Sequence, residues 1–566
     1  MSGIDWLVLV LTLSLIVIYG IYKSRNQTDI HSYFLANKQL PWYHVCLSVM
    51  ATQASAITFL SAPGQAYTDG MRFVQFYFGL PLAMIVLSIT FIPIFQKLKV
   101  FTAYEFLEKR FDHKTRALTA FLFLLSRGLS TGISIYAPSI ILSTILNVSI
   151  SYTTIFIGTL VIIYTVYGGT RAVSYTQMLQ MSIIFCGILM AGILVVKLLP
   201  GNVGWGSALQ VAGKMGRMNV IDWNFDWNNR YNVWSGIIGG FFLQLSYFGT
   251  DQSQVGRYLT GRSTAQSRLG LIMNGLVKVP MQFFILMIGV LVFTFYQFNK
   301  PPVFFNKTEV ANIEKSEYKA EFKKLENDYA ASFYEKKKKA EQLATVLETE
   351  DAALISSAKK ELNEANEKSS GIRKSAVELL KKNNPHAETN DSNYIFLSFV
   401  TQYLPQGLVG LLVAVIFLAS MGSLAAGLNS LASTTAVDIY IRSINKTGSA
   451  KKYLAYSRLA TVGWGLFCIL SGLYASKMGN LLEAVNIIGS LFYGTILGIF
   501  LTGFYFKSIT GPVTFYAAII TELIIVAMWW FNVTAFLWLN VIGCVLVIIF
   551  SFVLKALAPK KTSRQQ

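Results

Sequence analysis

Long apolar runs recur along the whole chain, and they constrain its fold more than any other feature. Hydrophobic residues make up 53% of the 566 residues, and charged residues only 14%. A transmembrane helix needs about 20 apolar residues, and backbone polar groups inside a bilayer must be satisfied within the segment, which favours helices. We therefore predict an all-α polytopic membrane protein with thirteen transmembrane helices. The predicted spans are residues 4–22, 42–66, 73–95, 116–146, 150–167, 174–199, 231–258, 269–298, 402–439, 453–475, 480–505, 511–530 and 533–556.

The net charge of +19 lies mainly in short loops between these spans. Residues 299–395 contain 17 basic and 17 acidic residues, so the excess positive charge belongs to the rest of the chain. Basic residues gather in alternate loops, a pattern that sets membrane topology and does not indicate nucleic-acid binding. It predicts a multi-pass protein of the cell (inner) membrane, with its N-terminus outside and its C-terminus in the cytoplasm. The first span has no preceding basic residue and no small-residue cleavage site, so we expect a retained helix and not a signal peptide.

Residues 299–395 differ in kind from the spans, and we expect them to lie outside the membrane. From about residue 309 to residue 383 the chain is rich in Lys, Glu and Ala, lacks proline, and repeats apolar residues at helical spacing. This pattern predicts two amphipathic helices in an extracytoplasmic hairpin, with a turn near residues 348–351. Partial disorder is the alternative. Such a hairpin offers a surface for a protein partner, whereas nothing in the sequence indicates an oligomeric state.

The span over residues 44–66 is a poor lipid-facing helix. Its middle reads ATQASAIT, and it ends in Pro63-Gly64. Small and hydroxylated side chains at membrane depth are suited to a surface that faces protein or a watery cavity. Irregular backbone is tolerated there only where it lines a cavity, and its carbonyls then become possible ion ligands. We interpret this helix as one wall of a transport site; a tightly packed helix crossing is the alternative.

A second interrupted helix is predicted five spans later, over residues 231–258, which contain Gly239-Gly240 and a polar run up to Gln252. Two interrupted helices in matching positions indicate a 5+5 inverted repeat with the transport site between them. Residues 418–440 add a face of small and hydroxylated residues. The predicted domains are an N-terminal extra helix (1–40), a first inverted repeat (41–199), an outside loop (200–230), a second inverted repeat (231–505) that contains the helical insertion 299–395, and two peripheral helices with a basic cytoplasmic tail (506–566).

Several motifs give the chain a specific resemblance. They are SYFLANKQLPWY (32–43), ASAITFLSAPGQAY (54–67), TAYEFLEKRFD (102–112), YGGTRAVSYTQMLQ (167–180), GTDQSQVGRYLTGRS (249–263) and GLNSLASTTAVDIY (427–440). The chain resembles the sodium:solute symporter family, whose members have a leucine-transporter-like inverted-repeat fold, over about residues 4–556 outside the insertion. The sequence IYAPS (135–139) resembles most closely the branch that carries iodide, monocarboxylates and vitamins.

The resemblance implies one sodium site. The family uses backbone carbonyls of the broken first repeat helix, which fall on Ala51 and Ala54 here. A further carbonyl falls on Ala419. Of two adjacent hydroxyl positions, the second is present as Ser423. Sodium as the coupling ion is the only cofactor that we predict.

Two departures from the family pattern bear on this site. The first hydroxyl position is Gly422, so one ligand is missing, and water or Ser420 could replace it. The family usually has an aspartate where this chain has Gln177. We therefore expect at most one sodium ion, bound weakly for the family, and an uncoupled or proton-coupled carrier remains an alternative.

The resemblance also implies substrate contacts. The position of an acidic sugar contact in relatives is Tyr77 here, which favours a small organic anion over a neutral sugar, because a buried carboxylate would repel an anion. Lys278 matches a membrane-depth lysine of sugar relatives, although a structural lysine is the alternative. The predicted substrate-binding residues are Gln53, Thr58, Tyr77, Gln244, Tyr247, Phe248 and Lys278. Asn486 and Tyr493 are further candidates, and we expect Asp251 to be structural.

The predicted function is secondary active import of a small-molecule substrate across the lipid bilayer by alternating access. The sequence contains no phosphate-binding glycine loop, catalytic triad pattern, HEXXH motif or paired cysteine motif, which argues against an enzyme. A sugar-type substrate is an alternative within the transporter class. An alternative from another class is a membrane sensor or scaffold, in which the transporter body binds a ligand and the outside hairpin binds a partner.

Overall fold

The computed structural model describes residues 1–24, 39–146, 148–200, 203–349, 351–444 and 446–557. Within them the regular structure is helical, apart from one isolated parallel bridge between Leu40 and Gly261. Nine of the described stretches are long and apolar enough to cross a membrane, and two shorter apolar stretches of helix, Gly3–Ile16 and Ile150–Val166, accompany them. The all-helical membrane architecture agrees with the prediction, while the thirteen spans and the inverted repeat stay predictions. Most of the predicted loop 23–41 and of the basic tail lies outside the described residues.

The helices are numbered in chain order. They are α1 (Gly3–Ser24), α2 (Trp42–Gln53), α3 (Ala56–Asp69), α4 (Leu80–Ile89), α5 (Phe91–Leu98), α6 (Glu105–Arg110), α7 (His113–Leu146), α8 (Ile150–Lys197), α9 (Trp205–Lys214), α10 (Gly240–Thr250), α11 (Gln252–Tyr258), α12 (Thr264–Phe298), α13 (Lys307–Ile313), α14 (Lys319–Val346), α15 (Ala352–Asn383), α16 (Ser392–Tyr403), α17 (Leu408–Thr434), α18 (Ala450–Leu473), α19 (Leu481–Tyr505), α20 (Gly511–Trp530) and α21 (Phe536–Leu557). A 3-10 helix covers Gly70–Tyr77, and π-helical turns cover Ser235–Gly239 and Thr435–Ile444.

The two short helices α2 and α3 lie at the centre of the packing. The long helix α12 packs along both, α17 contacts both, and α16 packs on α3. The contact between α3 and α16 is backbone to backbone, because a Cβ atom built on Gly64 would lie 1.9 Å from the carbonyl oxygen of Ser392. Only glycine permits this approach. The pair α2–α3 is therefore enclosed by helices on several sides, as a transport site requires.

The structure differs from the prediction between residues 150 and 199. The sequence predicted two spans, 150–167 and 174–199, joined by a short loop at 168–173. The structure has helix α8 without a break over Ile150–Lys197, 48 residues. The predicted loop is therefore wrong. Glycine inside a helix costs only about 1 kcal/mol, so the glycines in this stretch do not have to end the helix.

The insertion forms the two long helices that its pattern predicted. Asp351 begins α15, where its carboxylate accepts hydrogen bonds from the N–H groups of Ala353 (2.8 Å) and Leu354 (3.1 Å). Helices α14 and α15 pack together, and ion pairs cross between them at Lys339–Glu361 (2.7 Å) and Lys368–Glu335 (2.8 Å). The hairpin is thus an ordered structure, and its position outside the membrane stays a prediction.

Candidate functional site

The first predicted interruption lies at Ala54 and Ser55, the only residues between α2 and α3. The N–H of Ser55 donates to the carbonyl of Gln53 at 3.1 Å, and the N–H of Thr58 donates to the carbonyl of Ser55 at 3.0 Å. In a continuous α-helix these two N–H groups would bond to the carbonyls of Ala51 and Ala54. The break therefore releases the two carbonyl oxygens that the resemblance implied as sodium ligands.

The other two candidate sodium ligands lie on α17. Ala419 is 3% exposed and Ser423 is 6% exposed, and α17 packs against both α2 and α3. The hydroxyl of Ser423 donates to the carbonyl of Ser420 at 3.1 Å, so its oxygen keeps lone pairs for another partner. Carbonyl and hydroxyl oxygens are the donors that a hard cation such as sodium prefers. The residues present at this break therefore fit a sodium ion.

The second predicted interruption lies at Asp251, between α10 and α11, where the backbone is extended. The break thus falls in the predicted polar run, whereas Gly239 ends a π-helical turn and Gly240 is the first residue of α10. The Asp251 carboxylate accepts hydrogen bonds from the N–H of Ser253 at 2.8 Å and from the hydroxyl of Tyr493 at 3.0 Å. Asp251 thus caps α11 and ties it to α19.

A cavity lies beside the first interruption, and most of the predicted substrate residues line it. It holds about 90 Å³ of water-accessible space. The predicted residues in its lining are Gln53, Thr58, Tyr77, Gln244, Tyr247, Asn486 and Tyr493. A second cavity of about 60 Å³ shares part of this lining and includes Ser423. The candidate substrate and sodium sites are therefore neighbours.

Two predicted substrate residues lie outside this lining. Phe248 is fully buried, and its ring packs edge-on against Tyr247 with 5.0 Å between ring centroids. Lys278 is fully buried in α12, and its Nζ atom has no hydrogen-bond partner among the described residues. Neither side chain lines the two cavities. Their roles as substrate contacts stay predictions.

Arg127 lines both cavities, and the sequence prediction missed it. It lies in α7, its Nη1 atom is 3.8 Å from Oδ2 of Asp251, and its Nε atom has no partner among the described residues. Tyr247 lies beside the guanidinium and accepts a hydrogen bond from Gln254 Nε2 at 2.7 Å. An arginine in the middle of an apolar span is a functional-site signal by itself, because burying a charge in a membrane is costly.

Gln177 connects the two walls of the candidate sodium site. Its Oε1 atom accepts a hydrogen bond from the hydroxyl of Ser48 in α2 at 2.8 Å. Its Nε2 atom donates to the carbonyl of Gly422 in α17 at 3.1 Å and lies 3.3 Å from Oγ1 of Thr52. At the position where the family usually has an aspartate, the neutral amide of Gln177 therefore links α2 to α17.

Comparison with known proteins decides the family. The model of the sodium:solute symporter family matches residues 33–359 and 378–521, which is most of the chain. The chain belongs to the sodium:solute symporter family. This membership confirms the resemblance and the transporter class, and it supports sodium as the coupling ion.

The relatives of this symporter are named for different solutes. It is 25% identical to a sodium/glucose cotransporter of Vibrio parahaemolyticus over 90% of this chain and 82% of that protein. It is 24% identical to a sodium/sialic acid symporter of Proteus mirabilis, over 96% and 93% of the two chains. It is 30% identical to the human sodium/iodide cotransporter, but over only 48% of this chain and 42% of that protein.

A solved structure of a Na⁺-coupled sialic acid symporter has the same fold as this symporter. The TM-score is 0.76, with 22% sequence identity over 98% of each chain. At this identity the likeness shows the fold alone. The solute of this symporter must therefore be inferred from its own cavity.

Proposed function

We propose that the protein imports a small organic anion together with sodium by alternating access. The observation that supports the anion is Arg127, a buried cation whose side chain lines both cavities and whose Nε donor has no partner among the described residues. Guanidinium groups bind carboxylates through paired hydrogen bonds. In the predicted orientation, with the insertion outside, the solute would enter from the side of the hairpin.

The remaining cavity lining supports the same solute class. Both amide atoms of Gln244 and the Oε1 atom of Gln53 lack partners among the described residues, so these side chains are available to a polar solute. The lining contains no carboxylate. Relatives named for iodide and sialic acid carry anions, whereas a relative named for glucose carries a neutral sugar. Arg127 and the absence of a lining carboxylate favour the anion.

Sodium would bind at the first interruption in this proposal. Its ligands would be the carbonyls of Ala51, Ala54 and Ala419 and the hydroxyl of Ser423. Because the site lies beside the solute cavity, loss of sodium to the cytoplasm would weaken the adjoining wall and help to release the solute. Binding of each would therefore favour binding of the other, as thermodynamic linkage requires.

The test is a binding screen followed by flux. The purified full chain is heated with acetate, lactate, sialic acid, iodide or glucose at constant sodium, because a solute that binds the native state raises its thermal stability. The stabilising solute is then labelled for uptake into proteoliposomes. We expect an anion to bind and Arg127→Gln to lose most uptake. Arg268→Gln is the matched control, since Arg268 donates to the carbonyl of Ser88 at 2.8 Å away from the cavity.

Three outcomes would count against the proposal. Binding of glucose and of none of the anions would reject the anion. Equal uptake by Arg127→Gln and the control would reject the role of Arg127. Binding of an anion without any flux would favour the sensor alternative.

A proton-coupled or uncoupled carrier is the second candidate. It is favoured by Gly422 and Gln177, which remove a hydroxyl and a carboxylate from the neighbourhood of the sodium site. Uptake measured with sodium replaced by choline, across a range of pH, separates the two. Unchanged uptake in choline would establish this second candidate and reject sodium coupling.

A further inference from the structure

A third cavity, also lined by polar residues, lies between α11 and α17, apart from the two cavities around Arg127. It holds about 20 Å³ of water-accessible space, which is room for one water-sized occupant. Its polar lining residues are Gln252, Ser253, Arg257, Asn429, Ser430 and Ser433. No function assigned above uses any of them.

Two side chains in this lining have unused hydrogen-bonding groups. Among the described residues, neither amide atom of Asn429 has a partner, and neither does the hydroxyl of Ser253. Asn429 is 3% exposed and Ser253 is 2% exposed. A buried polar group left unpaired is destabilising, so an occupant that accepts hydrogen bonds from Nδ2 of Asn429 and Oγ of Ser253 would stabilise the folded chain.

The other polar side chains already have partners. The hydroxyl of Ser430 donates to the carbonyl of Gly427 at 2.7 Å, and that of Ser433 donates to the carbonyl of Ser430 at 3.0 Å. The amide of Gln252 bonds to the backbone of Ala103 and Phe101. The donors left for an occupant are therefore the amide of Asn429 and the hydroxyl of Ser253.

The charge of the lining selects the kind of occupant. Arg257 is 3% exposed and keeps its positive charge at all ordinary pH values. The lining contains no carboxylate. A cation would be repelled by Arg257 in this poorly screened position, whereas an anion would be attracted. The cavity volume restricts that anion to a single atom.

We propose that this cavity binds a monatomic anion, chloride in the cell, which accepts hydrogen bonds from Ser253 and Asn429 and is attracted by the positive charge of Arg257. Bound chloride would join α11 to α17. In the predicted orientation α11 is the inner half of the second interrupted helix, so chloride would stabilise the closed state of the cytoplasmic side. This inference does not depend on the identity of the imported solute.

The first test is a crystal of the full chain grown in sodium bromide, with diffraction measured near the bromine absorption edge. We expect an anomalous peak between Asn429 and Ser253. A cavity that contains a water only, with no anomalous signal, would overturn the proposal. The measurement needs no solute and keeps sodium constant, so its failure is distinguishable from failure of the proposed transport function.

The second test measures thermal stability of the full chain as chloride replaces gluconate at fixed sodium. We expect a saturable rise with chloride, because binding to the native state stabilises it. Ser253→Ala should reduce the rise, and Asn429→Asp should abolish it, because a carboxylate in the cavity repels the anion.

Ser551→Ala is the matched control, since Ser551 is fully buried in α21 and its hydroxyl also has no partner among the described residues. It should retain the full chloride effect. Equal chloride effects in Ser253→Ala, Asn429→Asp and the control would overturn the proposal, and so would a wild type that chloride does not stabilise.

Discussion

Gln177 donates a hydrogen bond from its Nε2 atom to the carbonyl oxygen of Gly422 at 3.1 Å. These are the two positions at which the sequence departs from the family pattern around the sodium site. They form one structural unit, because Gln177 also accepts a hydrogen bond from Ser48 and so ties α2 to α17. Where the family pattern has a hydroxyl and a carboxylate, this chain has Gly422 and Gln177, and the neutral amide of Gln177 links α2 to α17.

The first prediction concerns Ser423. Of the four candidate sodium ligands it alone would contribute a side-chain oxygen, since Ala51, Ala54 and Ala419 offer only backbone carbonyls. We expect Ser423→Ala to abolish the stimulation of uptake by sodium. The measurement is uptake of the labelled solute over a series of sodium concentrations, with choline as the replacement ion.

Ser457→Ala is the matched control for this substitution. Ser457 is also fully buried in a helix, α18, and its hydroxyl donates to the carbonyl of Tyr453 at 2.9 Å. The control should keep normal sodium stimulation. If Ser423→Ala keeps it too, the hydroxyl is no sodium ligand and the proposed site must be abandoned.

The second prediction concerns Gly422 and its neighbour Gln180. A Cβ atom on Gly422 would lie 2.6 Å from Oε1 of Gln180 and 3.3 Å from Cγ of Gln177. Gly422→Ser restores the missing hydroxyl but requires the Gln180 amide to move. We expect Gly422→Ser combined with Gln180→Ala to raise apparent sodium affinity roughly fivefold, the effect of about 1 kcal/mol from one added polar contact.

Two single variants accompany the double variant. Gly422→Ser alone should raise apparent sodium affinity less, because the Gln180 amide occupies the space that the new side chain needs. Gln180→Ala alone should leave sodium affinity near the wild-type value. The same sodium titration of uptake measures all three. No gain in the double variant would show that the hydroxyl at position 422 does not reach the ion.

The sequence predicted the interruptions because their chemistry is local. Small and hydroxylated residues around Ala54 and Ser55 are incompatible with a lipid-facing helix, and the structure breaks the helix there. The second break lies within the predicted span 231–258, at Asp251 in the polar run, while Gly239-Gly240 stays helical. The carboxylate of Asp251 accepts a hydrogen bond from the N–H of Ser253 at the start of α11, and glycine has no side chain to make such a bond.

Long-range relationships were harder to predict. The sequence places Arg127 inside an apolar span but does not show that α7 brings it to the cavity beside Tyr247. Lys278 and Phe248 were predicted by resemblance alone, and both lie outside the cavity lining. The partner of Gln177 could not be read from the sequence, because 245 residues separate it from Gly422.

The third prediction concerns the hairpin and its role in transport. Arg373 in α15 lies 2.5 Å from Oδ1 of Asp391, and Oδ2 of Asp391 accepts a hydrogen bond from the N–H of Phe305 at 2.7 Å. The base of the hairpin therefore helps to hold the start of α16, whereas its tip does not reach this contact. We expect deletion of residues 337–364, which keeps Arg373, to preserve uptake.

Arg373→Ala should instead destabilise the protein, by roughly 3 kcal/mol, because it leaves the 6% exposed carboxylate of Asp391 without its cation. Lys368→Ala removes a pair whose partners are 62% and 52% exposed, and it should cost at most about 1 kcal/mol. Thermal unfolding measures both. Loss of uptake on deleting the correctly inserted tip would show that the whole hairpin is needed.

The fourth prediction concerns Glu388, which precedes α16 and joins it to α7. Its Oε2 atom accepts hydrogen bonds from the hydroxyls of Tyr394 (2.7 Å) and Tyr136 (3.3 Å), and its own N–H donates to Oε1 of Glu309 at 3.4 Å. Burial raises the pKa of this carboxyl to about 7, and the negative charges of Glu309 and Asp391 add to the rise, against the two tyrosine hydrogen bonds, which lower it.

The folded state therefore holds the proton of Glu388 more tightly than the unfolded state, in which its pKa is 4.5. The contribution of Glu388 to the free energy of unfolding is largest below about pH 4.5. It falls as the pH rises to about 7 and is constant above that. Glu388→Gln keeps an acceptor for both tyrosines and removes the charge. We expect its advantage in melting temperature over wild type to grow between pH 5 and pH 8, whereas Glu367→Gln, at an exposed hairpin position, should show no such growth. A difference between Glu388→Gln and wild type that is the same at both pH values would show that Glu388 does not titrate in this range.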